Sequence, residues 1–170
     1  MKQNENGFTL VEIVVVMVLI SIIAATVFTR SITTDELNLI SRAEKVQAHI
    51  RYAQSMAIKK NEVWGIFSNG SQYWLFNGWQ PADVMTRISL PGENDNAITL
   101  AGSGLHLNIF SLFFDSLGKP YTIIDQWPPD PLTAVSAANP INITITSDED
   151  NTLNRKLTIT PETGLIVAIP

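Results

Sequence analysis

The feature that most constrains this chain is an apolar run from Phe8 to Phe28 that carries a single charge, Glu12. About 21 residues at a helical rise of about 1.5 Å per residue span roughly 30 Å, which is the thickness of the hydrocarbon core of a bilayer. The run therefore predicts a transmembrane helix. A carboxylate costs about 2.5–3.5 kcal/mol at the centre of a membrane, so Glu12 weakens this helix as an anchor. Because Glu12 makes the helix a poorer membrane anchor, we expect Glu12 to have a second role.

The residues before the run form a short polar leader that ends in Gly7. An ordinary secretory signal peptide would have a positively charged start and a shorter apolar core. Here Lys2 is cancelled by Glu5, and the apolar run is too long. An uncleaved signal anchor would account for the length of the run, but not for Gly7 or Glu12.

The segment Gly7-Phe8-Thr9-Leu10-Val11-Glu12 resembles the N-terminal signature of type IV pilins and type II secretion pseudopilins. The resemblance implies that a prepilin peptidase cleaves after Gly7 and that the new N-terminus at Phe8 is methylated. It also implies that Glu12 guides the assembly of subunits into a filament. The N-terminus would start on the cytoplasmic side of the inner membrane, and the chain after the span would be periplasmic.

This resemblance implies a domain organisation and a set of partners. Residues 1–7 are the leader, residues 8–30 the transmembrane and polymerisation helix, and residues 31–170 a periplasmic pilin-like globular domain that includes the second half of the helix. The implied partners are prepilin peptidase, other pilin or pseudopilin subunits, the inner-membrane assembly platform and the membrane itself. The alternative is a signal-anchored periplasmic binding or adhesion module that does not polymerise.

Composition excludes some classes of function. The formal net charge is −5 and there is no cysteine. A mildly acidic chain offers no electrostatic basis for binding nucleic acid, which depends on clustered lysine and arginine. Disulfides and zinc–thiolate sites are impossible without cysteine. Many pilins close a C-terminal loop with a disulfide, so this departure favours a pseudopilin or a minor pilin.

Helical periodicity resumes after the apolar run. Apolar residues recur at alternating steps of four and three, which is typical of one buried helix face: Leu39, Ala43, Val46, Ile50, Ala53 and Ala57. The residues Thr33 to Glu36 resemble a capping box and would fit a helix that restarts there. Because no proline or glycine occurs between Phe8 and Asn61, we favour one continuous helix with a weak point. Lys59 and Lys60 suit its C-terminus, and Asn61 can adopt the left-handed cap.

The rest of the chain has the pattern of short strands separated by turns. The candidates are Val63–Phe67, Tyr73–Phe76, Arg87–Leu90, Ala97–Leu100, Leu105–Phe110, Leu112–Asp115, Pro120–Ile124, Ile141–Thr146, Lys156–Thr160 and Leu165–Ile169. The proline-rich segment from Trp127 to Pro131 predicts a loop. A long N-terminal helix followed by strands predicts an α+β fold, in which the helix packs on an antiparallel sheet.

Two turns extend the resemblance into the globular part. Phe114–Pro120 and Thr160–Leu165 resemble strand–turn elements of the minor pseudopilin H and of minor pilins such as those of mannose-sensitive haemagglutinin pili. Each is predicted to be a tight turn, in which Gly118 or Gly164 takes a positive φ. Such turns also occur in many unrelated β-proteins.

No set of residues predicts catalysis, so we expect a structural protein rather than an enzyme, with no cofactor and no metal site. His49 and His106 are isolated and are expected to be structural. The acidic stretch Asp148-Glu149-Asp150-Asn151 predicts the turn of a late hairpin. Its oxygen atoms could hold calcium, although the spacing fits no EF-hand loop. A solvated turn is the favoured interpretation.

Aromatic residues cluster in the first predicted hairpin: Trp64, Tyr73, Trp74, Phe76 and Trp79. Two interpretations are open. The cluster packs against the helix as part of the core, which we favour, or it forms an exposed patch that binds a partner.

Overall fold

The computed structural model describes residues 9–28, 34–81, 83–100, 102–123, 129–130 and 133–169. The chain divides into two compact units, residues 1–34 and 35–170. Gly7, Phe8 and residues 29–33 lie outside the described part, and so does most of the predicted proline-rich loop. Whether the helix is continuous or restarts at Thr33 depends on residues 29–33, so this prediction lies outside the described residues.

The first helix, α1, extends from Leu10 to Phe28. It begins directly after Thr9, whose Oγ1 accepts a hydrogen bond from the backbone N–H of Glu12 at 3.3 Å. That bond satisfies one of the N–H groups left unpaired at a helix start. Its described large apolar side chains, from Leu10 to Ile23, are all exposed, with exposed fractions between 48% and 79%.

Within the described residues, no helix is long and apolar enough to cross a membrane. Phe8 and the side chains of residues 25–28 belong to the predicted span but lie outside the described part. The membrane span from Phe8 to Phe28 stays a prediction.

The second helix, α2, extends from Thr34 to Lys60. The six apolar residues that the periodicity placed on one face are each at most 4% exposed. The helix carries acidic residues in its first turn and Lys59 and Lys60 in its last, which suits the helix dipole at both ends. Asn61 has φ 54°, the left-handed conformation that ends the helix. The predicted face and the predicted C-terminal cap are both confirmed.

Ten strands are found in the described residues. In chain order they are β1 (Trp64–Ser68), β2 (Gln72–Asn77), β3 (Arg87–Ile88), β4 (Ile98–Thr99), β5 (Leu105–Leu107), β6 (Phe110–Phe114), β7 (Pro120–Tyr121), β8 (Asn142–Ser147), β9 (Asn154–Ile159) and β10 (Ile166–Ile169). A short 3₁₀ helix, Val84–Thr86, precedes β3.

The strands form two antiparallel sheets. The first has the order β3-β2-β1-β6-β7, and β4 also pairs with β2. The second has the order β10-β9-β8-β5. The helix α2 shares one hydrophobic core with residues of both sheets. The α+β prediction is confirmed, but the sequence predicted a single sheet where the structure has two.

The division into two sheets also shows that one predicted strand was wrong. Leu105–Phe110 was expected to be continuous, whereas β5 and β6 belong to different sheets. Between them, the backbone N–H of Asn108 donates to the Thr144 carbonyl at 3.1 Å, and its Oδ1 accepts from the Thr144 N–H at 2.7 Å. The Asn108 Nδ2 donates to the Asn142 carbonyl at 2.9 Å. Because this side chain bonds to the backbone of β8, the chain can leave one sheet and enter the other.

The first sheet is buried on both faces, which divides the aromatic cluster. Trp64 and Tyr73 pack in the core shared with α2. Trp74 and Phe76 lie in a second core, on the opposite face, with residues that include Phe113. The prediction that the cluster packs against the helix is therefore right for Trp64 and Tyr73 and wrong for Trp74 and Phe76. Trp79 is 45% exposed.

A glycine makes the second core possible. Gly65 lies opposite Phe76 on β2 and opposite Phe113 on β6. A Cβ on Gly65 would lie 2.5 Å from the Phe76 ring and 2.4 Å from the Leu112 carbonyl oxygen. The rings of Phe76 and Phe113 meet edge to face at 5.1 Å between centroids. The missing side chain therefore provides the space that the Phe76 ring occupies.

Candidate assembly site

The predicted assembly residue Glu12 lies in the first turn of α1, where a negative charge is favoured by the helix dipole. It lines a groove with Ile13, Val16, Met17 and Ile20, and apart from Glu12 this surface is apolar. Gly7 and Phe8 lie outside the described residues. The predictions of cleavage after Gly7, methylation of Phe8 and assembly through Glu12 stay predictions.

The surface around Glu12 is unusual for a helix. Apolar side chains cover all sides of α1, as the exposed residues Leu10, Val14, Leu19 and Ile22 illustrate. Such a helix has no polar face to present to water. It needs an apolar surrounding on every side, which a bilayer or a bundle of other helices provides.

The globular domain brings together the two turns that the sequence singled out. Gln54, near the C-terminal end of α2, donates hydrogen bonds from its Nε2 to the carbonyls of Gly118 and Thr163, both at 2.8 Å. The turns are more than 40 residues apart in the chain, and one amide group ties both to the helix. The helical periodicity of the sequence does not predict this contact.

Both turn glycines have the predicted positive φ, 79° for Gly118 and 63° for Gly164. Both also allow close approach to α2. A Cβ on Gly164 would lie 2.6 Å from the Gln54 Nε2, and one on Gly118 would lie 2.8 Å from the Ile58 Cδ1. These turns therefore need glycine for two independent reasons, the backbone conformation and the packing.

The first turn is organised by Asp115, a buried carboxylate. Its Oδ1 accepts hydrogen bonds from the backbone N–H groups of Leu117 and Lys119, both at 2.9 Å. Its Oδ2 accepts one from the Tyr121 hydroxyl at 3.3 Å. Burial and the nearby Asp115 charge raise the pKa of Tyr121. On the outside, Lys119 and Glu162 form an ion pair at 2.7 Å that links the two turns.

The two histidines differ in their surroundings. His49 is buried and its Nδ1 lies 3.0 Å from the Tyr73 hydroxyl. Burial lowers the pKa of His49 and raises the pKa of Tyr73. His106 is exposed and its Nδ1 lies 2.6 Å from the Asp148 Oδ1.

The acidic stretch forms the turn between β8 and β9, as predicted. Asp150 closes it, because its Oδ1 accepts hydrogen bonds from the Thr152 N–H at 2.9 Å and the Thr152 hydroxyl at 2.6 Å. These bonds lower the pKa of Asp150. In the part of the chain that the structure describes, no three histidine or acidic residues are grouped so that they could hold a metal ion.

Two family models match this chain, one at its N-terminus and one over the globular unit. The prokaryotic N-terminal methylation motif matches residues 2–28. The family of the type II transport protein GspH matches residues 42–164, more than half of the chain. No curated protein sequence matches.

A solved structure confirms the fold. The crystal structure of the type IV minor pilin FimU from Pseudomonas aeruginosa (strain PAO1) is similar, with a TM-score of 0.51 and 18% sequence identity over 81% of this chain and 92% of that one. The two family matches identify a pilin-like structural subunit, a minor pilin or pseudopilin of a type IV pilus or type II secretion system. The chain belongs to the type II transport protein GspH family.

Proposed function

We propose that this subunit is cleaved after Gly7 by prepilin peptidase, methylated at Phe8 and then assembled into a filament through α1. Before assembly it is a single-pass protein of the inner membrane, and residues 31–170 are periplasmic. It acts without catalysis, through contacts with other pilin or pseudopilin subunits and with the assembly platform. The match of the methylation motif to residues 2–28 supports the processing steps.

The observation that carries the assembly step is the surface of α1. Large apolar side chains are exposed around the helix, and Glu12 is the only charge in it. In a filament, the Glu12 carboxylate of one subunit would meet the N-methylated, positively charged amino group at Phe8 of a neighbour. Two opposite charges near 4 Å attract by about 4 kcal/mol at an effective dielectric constant near 20, before desolvation is subtracted. This attraction offsets the cost of placing the carboxylate among apolar groups.

The processing step is tested at Gly7. Replacement of Gly7 by Trp should leave the precursor uncleaved. Glycine has no side chain beside the bond that is cleaved, and the bulky tryptophan side chain would obstruct the peptidase there. Intact-mass analysis of the membrane fraction should show the loss of residues 1–7 and one added methyl group for the wild-type chain only. A wild-type chain that keeps its first seven residues would instead support the signal-anchored module that does not polymerise.

The assembly step is tested at Glu12 with two measurements on one variant. In a lone membrane helix Glu12 is only a cost, so Glu12→Leu should stay in the membrane at least as well as the wild type. In the filament the variant loses the pairing with the neighbour's amino group, so its incorporation should fall about tenfold or more. Co-purification with sheared filaments measures incorporation.

A matched control is available on the second helix. Glu44 is an exposed glutamate of α2, and Glu44→Leu should be retained and incorporated like the wild type. If Glu12→Leu co-purifies with filaments at the wild-type level, Glu12 has no role in assembly.

A further inference from the structure

A pocket lies in the globular unit where the end of α2 meets the β1–β2 hairpin, at the end of the hairpin opposite its turn. We call it the Trp79 pocket. Its volume is about 290 Å³, and its lining residues are Asn61, Glu62, Val63, Asn77, Gly78 and Trp79. The Gly78 N–H donates to the Val63 carbonyl at 2.8 Å. Because Gly78 also has a positive φ of 89°, the chain turns before Trp79.

The pocket forms because the helix ends beside a part of the sheet that still faces it. Tyr73, Leu75 and Asn77 follow each other at steps of two on β2, so they lie on one side of the sheet. Tyr73 and Leu75 are fully buried in the core shared with α2, whereas Asn77 is only half-buried. The helix ends at Lys60, and Asn61 turns the chain with φ 54°. The cover that α2 provides therefore stops between Leu75 and Asn77.

The polar side chains of the Trp79 pocket have unused hydrogen-bonding capacity. The Asn77 Nδ2 donates to the Glu62 Oε2 at 3.5 Å, which is a long bond. The side chains of Asn61 and Trp79 make no hydrogen bond to any of the described residues. An amide offers two N–H donors and a carbonyl acceptor, a carboxylate offers acceptors only, and an indole offers one N–H donor. The pocket therefore presents both donors and acceptors to a ligand.

Trp79 adds an apolar surface to the same pocket. Its side chain is 45% exposed, although an indole is large and mostly apolar. A flat apolar face with one N–H donor is suited to a ligand that is itself part apolar and part polar. Concave sites that combine an aromatic side chain with a few polar groups are typical of ligand pockets.

The charges around the pocket disfavour ionic ligands. An anion would be repelled by the Glu62 carboxylate. A cation would be attracted by Glu62 but repelled by Lys59 and Lys60, two exposed residues that precede Glu62 by three and two positions. A purely apolar ligand would displace water from the polar groups without replacing its hydrogen bonds. The pocket therefore favours a neutral ligand with an apolar face and a polar edge.

We propose that the Trp79 pocket binds one pyranose ring of a β-1,4-linked saccharide. The indole face of Trp79 stacks on the C–H groups of the ring, and Asn61, Glu62 and Asn77 bond to its hydroxyl groups. A pyranose with equatorial substituents, as in β-1,4-linked glucose or N-acetylglucosamine, has flat faces of C–H groups and a rim of donors and acceptors. An axial substituent would separate the ring face from the indole.

The size of the pocket limits the ligand. Its volume of about 290 Å³ lies at the lower end of the range of about 300–1,000 Å³ found for ligand pockets. One sugar ring fits such a space, whereas the rest of a longer saccharide would extend into solvent. Each planar carboxylate or amide group can bond to two adjacent hydroxyls of that ring.

The binding test uses the full chain in a polyoxyethylene detergent, which carries no sugar. Isothermal titration calorimetry would compare cellotriose and chitotriose with maltotriose and tetramethylammonium chloride. Maltotriose has the same glucose units as cellotriose, but its α-linkages are axial. At least one of the two β-linked sugars should bind at least tenfold more tightly than maltotriose and than tetramethylammonium. Failure of both to do so would overturn the proposal.

A first variant tests the stacking surface. Trp79→Ala should weaken the β-linked sugar about tenfold or more, because the apolar contact with the ring is lost. Met85→Ala is the control, since it removes a side chain that is 93% exposed and lies outside the pocket. The control should bind like the wild type, and both variants should keep the wild-type urea midpoint. Equal affinities for the two variants would overturn the proposal.

Two variants of Glu62 separate a saccharide from a cation. Glu62→Gln removes the charge but retains a planar group that bonds to hydroxyls, so the sugar should lose less than about threefold in affinity. Glu62→Ala removes the hydrogen bonds and should lose about tenfold. Equal losses in the two variants would mean that the charge itself binds the ligand, which would overturn the proposal. Calorimetry requires neither processing nor filaments, so its outcome is independent of the proposed function.

Discussion

The two helices use apolar residues in opposite ways. In α1 the described large apolar side chains are at least 48% exposed, whereas the six apolar residues on the inner face of α2 are at most 4% exposed. Neither helix contains proline or glycine. The difference comes from composition and pattern together, because α1 carries one charged residue, whereas α2 carries charged residues outside its apolar face. A helix that is apolar on every side requires a surrounding partner, but a helix with one apolar face needs only the sheets of its own domain.

The largest expected effect contrasts one isoleucine from each helix. Ile50→Ala removes a fully buried side chain of α2 and should lower the free energy of unfolding of the globular domain by about 3 kcal/mol. Ile20→Ala changes an exposed residue of α1 and should change it by less than about 0.5 kcal/mol. Urea unfolding of the full chain in detergent, followed by tryptophan fluorescence, measures both. Similar losses would mean that α1 belongs to the same cooperative unit.

A smaller effect is expected where α2 meets the two turns. Gly164→Ala places a Cβ 2.6 Å from the Gln54 Nε2 and 3.0 Å from the Phe114 ring, at φ 63°. Strain and displacement together should cost about 2 kcal/mol. Gly78→Ala is the matched control, because its φ of 89° is also positive but no atom lies within 4 Å. The control should lose only the conformational part, about 1 kcal/mol. If the two losses are equal, packing against Gln54 adds nothing to stability.

The smallest effect is a pH dependence that arises inside the globular unit. Burial lowers the pKa of His49, as do the charges of Lys45 and Arg42, while Glu93 opposes the shift. The unfolded chain then binds more protons than the folded one between the folded pKa and about 6.5. Stability contributed by neutral His49 is present above pH 6.5 and is lost as the pH falls below it, by at most about 1.4 kcal/mol per pH unit.

The measurement is the urea midpoint at pH 7.5 and at pH 5.5. His49→Gln should reduce the difference between the two midpoints, because it removes the buried titrating group. A pH dependence that persists unchanged in His49→Gln would assign it to other groups.

The sequence predicted α2 better than the sheets because a single buried face leaves a visible period. The period of α2 is unbroken over six residues, and every one of them is buried. In β2, Tyr73 and Leu75 face the core shared with the helix, while Trp74 and Phe76 face the second core. A strand that is buried on both faces has no alternation to detect. Its apolar run was therefore assigned to one core instead of two.

The sequence alone determined the features that depend on neighbouring residues. These are the N-terminal motif with its apolar run, the buried face of α2, the left-handed cap at Asn61 and the glycine turns at Gly118 and Gly164. Each follows from local sterics or from a short repeat in the chain.

Only the tertiary structure decided which distant segments meet. The exchange of sheets at Asn108 and the attachment of both turns to Gln54 depend on contacts between remote parts of the chain. Asn108 and Gln54 are residue types that are common at exposed positions, so their identity alone does not predict these contacts. Their partners are selected by the way α2 packs on two sheets, and that packing is a property of the whole domain rather than of any short segment.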